Sequence, residues 1–149
     1  MKLTTPLLVL TFTILFSCNG DEEVAPTFTP LGQKIIGDWI VAASIDNSNE
    51  STSTYPATID DFTISFKSDS RVQLNGPCNA GQAQNFVYTE SGTLVLSDIV
   101  TTLKFCSSIE NDWESRIVGG LNTSYHATIS GNNMEILTDG NYSLKLERQ

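Results

Sequence analysis

Tyr125-His126-Ala127-Thr128-Ile129, Met134-Glu135-Ile136 and Tyr142-Ser143-Leu144-Lys145-Leu146 are three short runs in which apolar residues take every second position. Gly131-Asn132-Asn133 and Asp139-Gly140-Asn141 separate them. A period of two sends alternate side chains to opposite faces of a pleated strand, so each run reads as a strand with one buried face. Asp-Gly favours the type I′ turn whose twist suits a tight hairpin. The last part of the chain therefore predicts an antiparallel β-meander.

The same pattern extends upstream. Phe62, Ile64 and Phe66 alternate with Thr63 and Ser65; after a turn at Lys67-Ser68-Asp69-Ser70, Val72 and Leu74 continue the alternation. Phe86-Val87-Tyr88 and Leu94-Val95-Leu96 flank Glu90-Ser91-Gly92, a second hairpin signal. Trp39-Ile40-Val41-Ala42 reads as the first strand. Asp46 to Thr54 is Ser, Thr, Asn and acidic residues without periodicity, which predicts a loop. One helix interrupts the strands. Ser107 and Glu110 have capping-box spacing, and Ile109, Trp113, Ile117 and Leu121 recur every four residues, with Val118 widening the stripe. That arrangement puts one apolar face on the sheet and leaves Asn111, Asp112, Ser115 and Arg116 outside. Gly119-Gly120 is expected to end the helix. No internal repeat is visible. The fold class is mainly β (α+β): a small antiparallel, partly open β-barrel of about eight strands, with one helix covering an opening.

A length of 149 residues supports one ordinary domain with a core of its own. The formal net charge of −9 argues against nucleic-acid binding, which needs clustered Lys and Arg. One histidine and three cysteines leave little material for a metal centre or a nucleophile–base pair.

The N-terminus predicts export. Lys2 precedes an apolar run from Leu7 to Phe16 that has the length of a signal-peptide core and is too short to span a bilayer, which takes about 20 apolar residues. Leu15-Phe16-Ser17-Cys18 resembles the lipobox of bacterial lipoproteins, in which the cysteine is acylated and begins the mature chain; the plainer alternative is an ordinary cleaved signal peptide. On the lipobox reading, residues 1–17 are the signal peptide and residues 18–30 are the lipidated cysteine and its tether. The domain then occupies residues 31–149. Asp21-Glu22-Glu23 after the anchor resembles the signal that exports some lipoproteins to the outer face of the outer membrane, or is a solvated spacer.

Two cysteines remain. Cys78 lies in the turn Asn75-Gly76-Pro77-Cys78-Asn79, and Cys106 ends Thr102-Leu103-Lys104-Phe105-Cys106 just before the helix. In an exported protein such a pair reads as a disulfide. Closing its loop of about 29 residues would stabilise the fold by about 3.5 kcal/mol on chain-entropy grounds. The competing reading is a reactive Cys106 thiol at the helix N-terminus working with His126. Elsewhere the chemistry is thin. Asp60 and Asp61 are adjacent on a predicted strand edge and so point to opposite faces. Asp46, Ser48 and Glu50 alternate as calcium ligands can but lack the glycine and terminal glutamate of a calcium loop. His126 is expected on a surface or edge, away from the face of Tyr125, Ala127 and Ile129. The tripeptides Asn122-Thr123-Ser124 and Asn141-Tyr142-Ser143 match the glycosylation sequon, without weight in a bacterial lipoprotein.

Across these motifs the chain resembles the META domain (HslJ-like) family of bacterial lipoproteins. The likeness runs from Gly37-Asp38-Trp39 through Asp69-Ser70-Arg71-Val72, the Cys78-Asn79 turn and Gly92-Thr93-Leu94. It continues through Thr102 and Cys106, then Glu114, Ile117, Val118 and Leu121, to Tyr125 and Ile129. Pro77 stands where glycine is usual. The resemblance implies structural roles for Trp39, Asn79, Thr102 and Glu114, and small exported or lipid-anchored domains tied to stress tolerance, drug resistance or secretion, without established catalysis. Gly37-Asp38-Trp39 also resembles the opening of lipocalin-like barrels. The expected fold resembles the cracked barrel of lipoprotein pilots, which can hold a lipid chain.

The expectation is a non-enzymatic lipoprotein of the cell envelope, in the outer membrane, with no catalytic residues, cofactor or metal. Its partners would be the membrane, through the lipid at Cys18, and an envelope protein. The alternative is a carrier of a lipid or small apolar ligand in the barrel interior.

Overall fold

The structure is a computed structural model that describes residues 32–149; the signal-peptide, Cys18 and tether readings lie outside the described residues. A short helix, α1 (Gly32–Ile35), leads into eleven strands and one long helix. In chain order the elements are β1 (Gly37–Asp46), β2 (Ser51–Thr54), β3 (Thr63–Phe66), β4 (Val72–Asn75), β5 (Ala80–Ala83), β6 (Asn85–Tyr88), β7 (Leu94–Ser97) and β8 (Val100–Thr101). After them come α2 (Ser108–Asn122), β9 (Ser124–Ser130), β10 (Asn133–Thr138) and β11 (Tyr142–Arg148).

All pairings are antiparallel. One sheet runs β8-β5-β4-β3-β1-β11-β10-β9, with β2 also on β1. β1 is its spine. One edge carries β11; the other is shared by β3 on residues 37–40 and β2 on residues 43–46. The sheet curls without closing. The β6–β7 hairpin spans much of the gap: Phe86 N–H donates to Ser70 O (2.9 Å), and Ala127 N–H donates to Gly92 O (2.7 Å) beside a Thr93–His126 bridge. α2 covers the opening with Trp113, Ile117 and Leu121 buried. Between them Trp39, Ile64, Phe66, Leu94, Ile136 and Leu144 fill the interior without measurable exposure.

The eight predicted strands are all present. The other three, β2, β5 and β8, are corrections, and they share a cause. β2 and β8 bury no residue fully and β5 buries only Ala83, so no apolar period marks them. β2 lies inside the segment predicted as a loop. There Glu50, with φ 59°, turns the chain back so that Ser51 pairs with Asp46.

Other expectations shift in detail. Gly119-Gly120 does not end α2, which continues to Asn122 and is capped by Thr123, whose hydroxyl donates to Gly119 O at 3.0 Å. Gly120 instead serves packing, since a Cβ there would lie 2.9 Å from Tyr142 O. Ile109 is 41% exposed, so the apolar stripe begins at Trp113. Tyr125 is 46% exposed, because an irregularity between Leu137 and Thr138 shifts the register opposite it while Ala127 stays buried. Asp60 and Asp61 lie in the β2–β3 loop, not on a strand edge.

Candidate functional site

The β4–β5 turn is built to present backbone N–H groups. Gly76 N–H donates to Asn79 O (2.8 Å) and closes the turn. Glycine is required there, since a Cβ would come within 2.5 Å of the Glu114 Oε1 and 2.9 Å of Phe62. The N–H groups of Cys78 and Asn79 donate to Glu114 Oε1 at 3.0 and 2.8 Å, and Asn79 Nδ2 donates to Oε2 at 2.7 Å. Glu114, on the buried face of α2, is only 7% exposed. A buried carboxylate needs such donors to replace the water it has lost.

Asn79 also reaches the segment that leads into α2. Its Nδ2 lies 3.1 Å from Cys106 Sγ. Its Oδ1 accepts from the Thr102 hydroxyl (3.1 Å) and from Lys104 N–H (2.9 Å). Thr102 Oγ1 accepts from Ala80 N–H, and Thr102 N–H donates to Ala80 O. The Cys78–Cys106 disulfide, with Cα atoms 5.9 Å apart, completes the knot. Beyond it Ser107 caps α2 in the predicted capping box: Ser107 N–H donates to Glu110 Oε2 (2.7 Å) and Glu110 N–H to Ser107 Oγ (3.3 Å). The Ser107 hydroxyl is the largest cause holding the Glu110 carboxyl below its ordinary value.

Asn79, Thr102, Glu114 and both cysteines thus converge at one place, joining the β4–β5 turn, residues 102–106 and α2. Trp39 lies elsewhere. Its indole N–H donates to Ile35 O (2.8 Å), and the guanidinium of Arg148, its neighbour on β11, sits 4.2 Å over the ring. Arg148 also donates to Ile36 O at 3.0 Å, so the last strand pins the segment before β1. His126 is likewise separate. Its Nε2 lies 3.3 Å from Thr128 Oγ1 and its ring packs on Gly92, whose φ of 87° and lack of Cβ make room for it. Cys106, taken up by Cys78, has no thiol to offer it. The Asp46 carboxylate is engaged by the backbone and hydroxyl of Ser48, and among the described residues no group of three or more His, Cys, Asp or Glu is arranged to hold a metal.

What sequence reasoning missed lies between the motif positions. The Thr102 hydroxyl, the Lys104 N–H and the Cys106 sulfur are bonded to the β4–β5 turn, and Leu103 and Phe105 between them point out, at 99% and 108% exposure. The alternation was readable in Thr102-Leu103-Lys104-Phe105-Cys106, but not which set faced solvent. Leu103 borders a groove of about 380 Å³ between the β5–β8 edge and the outer face of α2, floored by Phe62 and Leu74. Near the N-terminal end of α2, Tyr55 packs edge-on against Trp113 (5.0 Å between centroids). Burial, then the charges of Asp61, Glu114, Asp60 and Glu110, push the Tyr55 hydroxyl up to about 12.

The META domain family model matches residues 39–149. The chain belongs to the META domain family. Its fold is similar to that of a protein from Burkholderia xenovorans solved by NMR, with TM-score 0.65 and 15% identity over 88% of this chain and 96% of that one. It is also similar to a crystal structure of a DUF4847-family protein from Bacteroides vulgatus, with TM-score 0.52 and 13% identity over 76% of this chain and 92% of that one. At these identities the likeness concerns the fold alone. No curated protein matches the chain at a significant level.

Proposed function

We propose that this META-domain protein is a lipid-anchored component of the bacterial cell envelope, held in the outer membrane through Cys18. It catalyses no reaction and supports envelope integrity, stress tolerance or secretion by binding another protein. One observation carries the reading. The polar side chains that converge most densely are spent on one another: Glu114 on three N–H groups, Asn79 on Glu114, Thr102 and Lys104, and the cysteines on a disulfide. That is the economy of a scaffold. The carrier reading finds less support, because large side chains occupy the interior it needs.

Cell fractionation tests the anchor. Cys18→Ser is expected to leave an unprocessed precursor and to free it from membranes after high-salt washing. Retention of that variant in the membrane would overturn the lipidation reading. For the absence of catalysis, alanine at His126, Asp60 or Asp61 should leave folding and cellular phenotype near wild type; a loss beyond any change in stability would reopen the enzyme reading.

A further inference from the structure

Several apolar side chains are about half exposed, Val100 and Ile109 among them, but Leu103 and Phe105, two residues apart, stand wholly in water. They are not on a loose loop. Thr102, Lys104 and Cys106 hold the backbone to the β4–β5 turn by hydrogen bonds and the disulfide, and Ser107 fixes the far end as the cap of α2. The backbone beneath the pair is therefore already fixed, so covering the pair would order two side chains and little main chain. Beside it, β8 pairs with β5 alone among the described strands and has its other edge open. Thr101 of β8 lines the groove together with Thr102 and Leu103. An open strand edge beside apolar side chains is the arrangement that takes up an extended segment as an added strand.

The charge around this surface selects the occupant. Residues 98–116 carry Asp98, Glu110, Asp112 and Glu114 against Lys104 and Arg116. Asp112 is ion-paired with Arg116 at 2.7 Å and Glu114 is buried in the knot, which leaves Asp98 and Glu110 against Lys104 at the surface. The whole chain is at −9. A second copy would bring like charge to like charge. A basic segment would be drawn in.

Resting on the protein-binding reading above, we infer that the β8 edge and the Leu103–Phe105 ridge receive an extended segment of a partner protein in which apolar residues alternate with Lys or Arg. The segment pairs its backbone with β8 and sets its apolar side chains against Leu103 and Phe105. Its cations meet the acidic rim.

The test uses the full chain and a fluorescent eight-residue peptide alternating lysine with leucine or phenylalanine. Its controls are the same peptide with glutamate for lysine, and a version N-methylated at alternate backbone nitrogens. The lysine peptide is expected to bind and both controls to fail. Leu103→Ser and Phe105→Ser should each weaken binding about tenfold, as central apolar anchors do, while thermal melting stays unchanged because neither side chain is buried. Equal binding by wild type and both variants would overturn the assignment, as would binding of the N-methylated peptide. Self-association lost in Phe105→Ser, or binding to phosphatidylglycerol vesicles in place of the peptide, would replace the proposed occupant with another. Photocrosslinking in cells separates this inference from the reading beneath it. Adducts from a photoreactive analogue at the exposed hairpin residue Val95 but not at Phe105 would sink the surface and keep protein binding. Adducts from neither position would overturn both.

Discussion

Trp39 and Glu114 both tie distant parts of the chain together, by opposite physics. Trp39 does so with apolar area: a large side chain with no exposed surface, one indole N–H satisfied by Ile35 O, and a guanidinium laid on its face. Glu114 does so with charge, a carboxylate taken from water and repaid by three N–H donors from a turn 35 and 36 residues away. The first contact tolerates imprecision, since burial is nearly proportional to area and blind to direction. The second does not, because a buried polar group with a missing partner costs more than the bond it replaces. The apolar anchor therefore sets how stable the barrel is. The polar knot fixes how the segment leading into α2 lies against the β4–β5 turn, and so how Leu103 and Phe105 are displayed.

The largest expected effect falls on the apolar side. Trp39→Ala should destabilise the fold by about 3–5 kcal/mol in urea unfolding, through lost burial and the cavity left behind. A loss near 1 kcal/mol would mean that Arg148 and α1 collapse into the space, and the contrast with Glu114 would blur. Next is the disulfide. Reduction should lower stability by about 3.5 kcal/mol, less if the reduced unfolded chain keeps residual structure; unchanged unfolding with and without reductant would show that the Asn79–Glu114 bonds hold the turn alone.

Glu114→Ala should cost about 2–3 kcal/mol, as it strands the Cys78, Asn79 and Asn79 Nδ2 donors, and Glu114→Gln should recover part of this by keeping an acceptor. Hydrogen exchange sharpens the distinction. The Lys104 amide should lose protection in Glu114→Ala, which frees Asn79, and keep it in any Trp39 variant that remains folded. Smallest is a titration. The Tyr55 hydroxyl rises from 10.0 to about 12, first by desolvation and then by nearby carboxylates. The folded state holds this proton more tightly than the unfolded chain does. Its stabilising contribution is thus complete below pH 10 and is lost between pH 10 and about 12. Absorbance at 295 nm should show a late phenolate component that Tyr55→Phe removes.

The strands predicted from period-two alternation were those with a buried face, such as Val72–Leu74 and Met134–Ile136. β2, with no fully buried residue, carries no such signal, and its strand character comes from its neighbour β1. The helix start at Ser107 was legible because a capping box is a local device of four residues. Its end was misread because Gly120 answers a strand far along the chain. The knot was half legible: family likeness singled out Asn79, Thr102 and Glu114, but nothing in their spacing says that one carboxylate serves the turn.

By itself the sequence determined which segments alternate, where α2 begins and that the chain is acidic. These depend on residues within a few positions of one another or on composition. Only the tertiary structure decided that Glu114 meets Cys78 and Asn79, that Gly120 lies under Tyr142, and that Leu103 and Phe105 face water while the Thr102 hydroxyl, the Lys104 N–H and the Cys106 sulfur are bonded to the β4–β5 turn. Those outcomes depend on how separate elements pack. A strand's period specifies that its two faces differ, and it takes the rest of the fold to choose which one is covered.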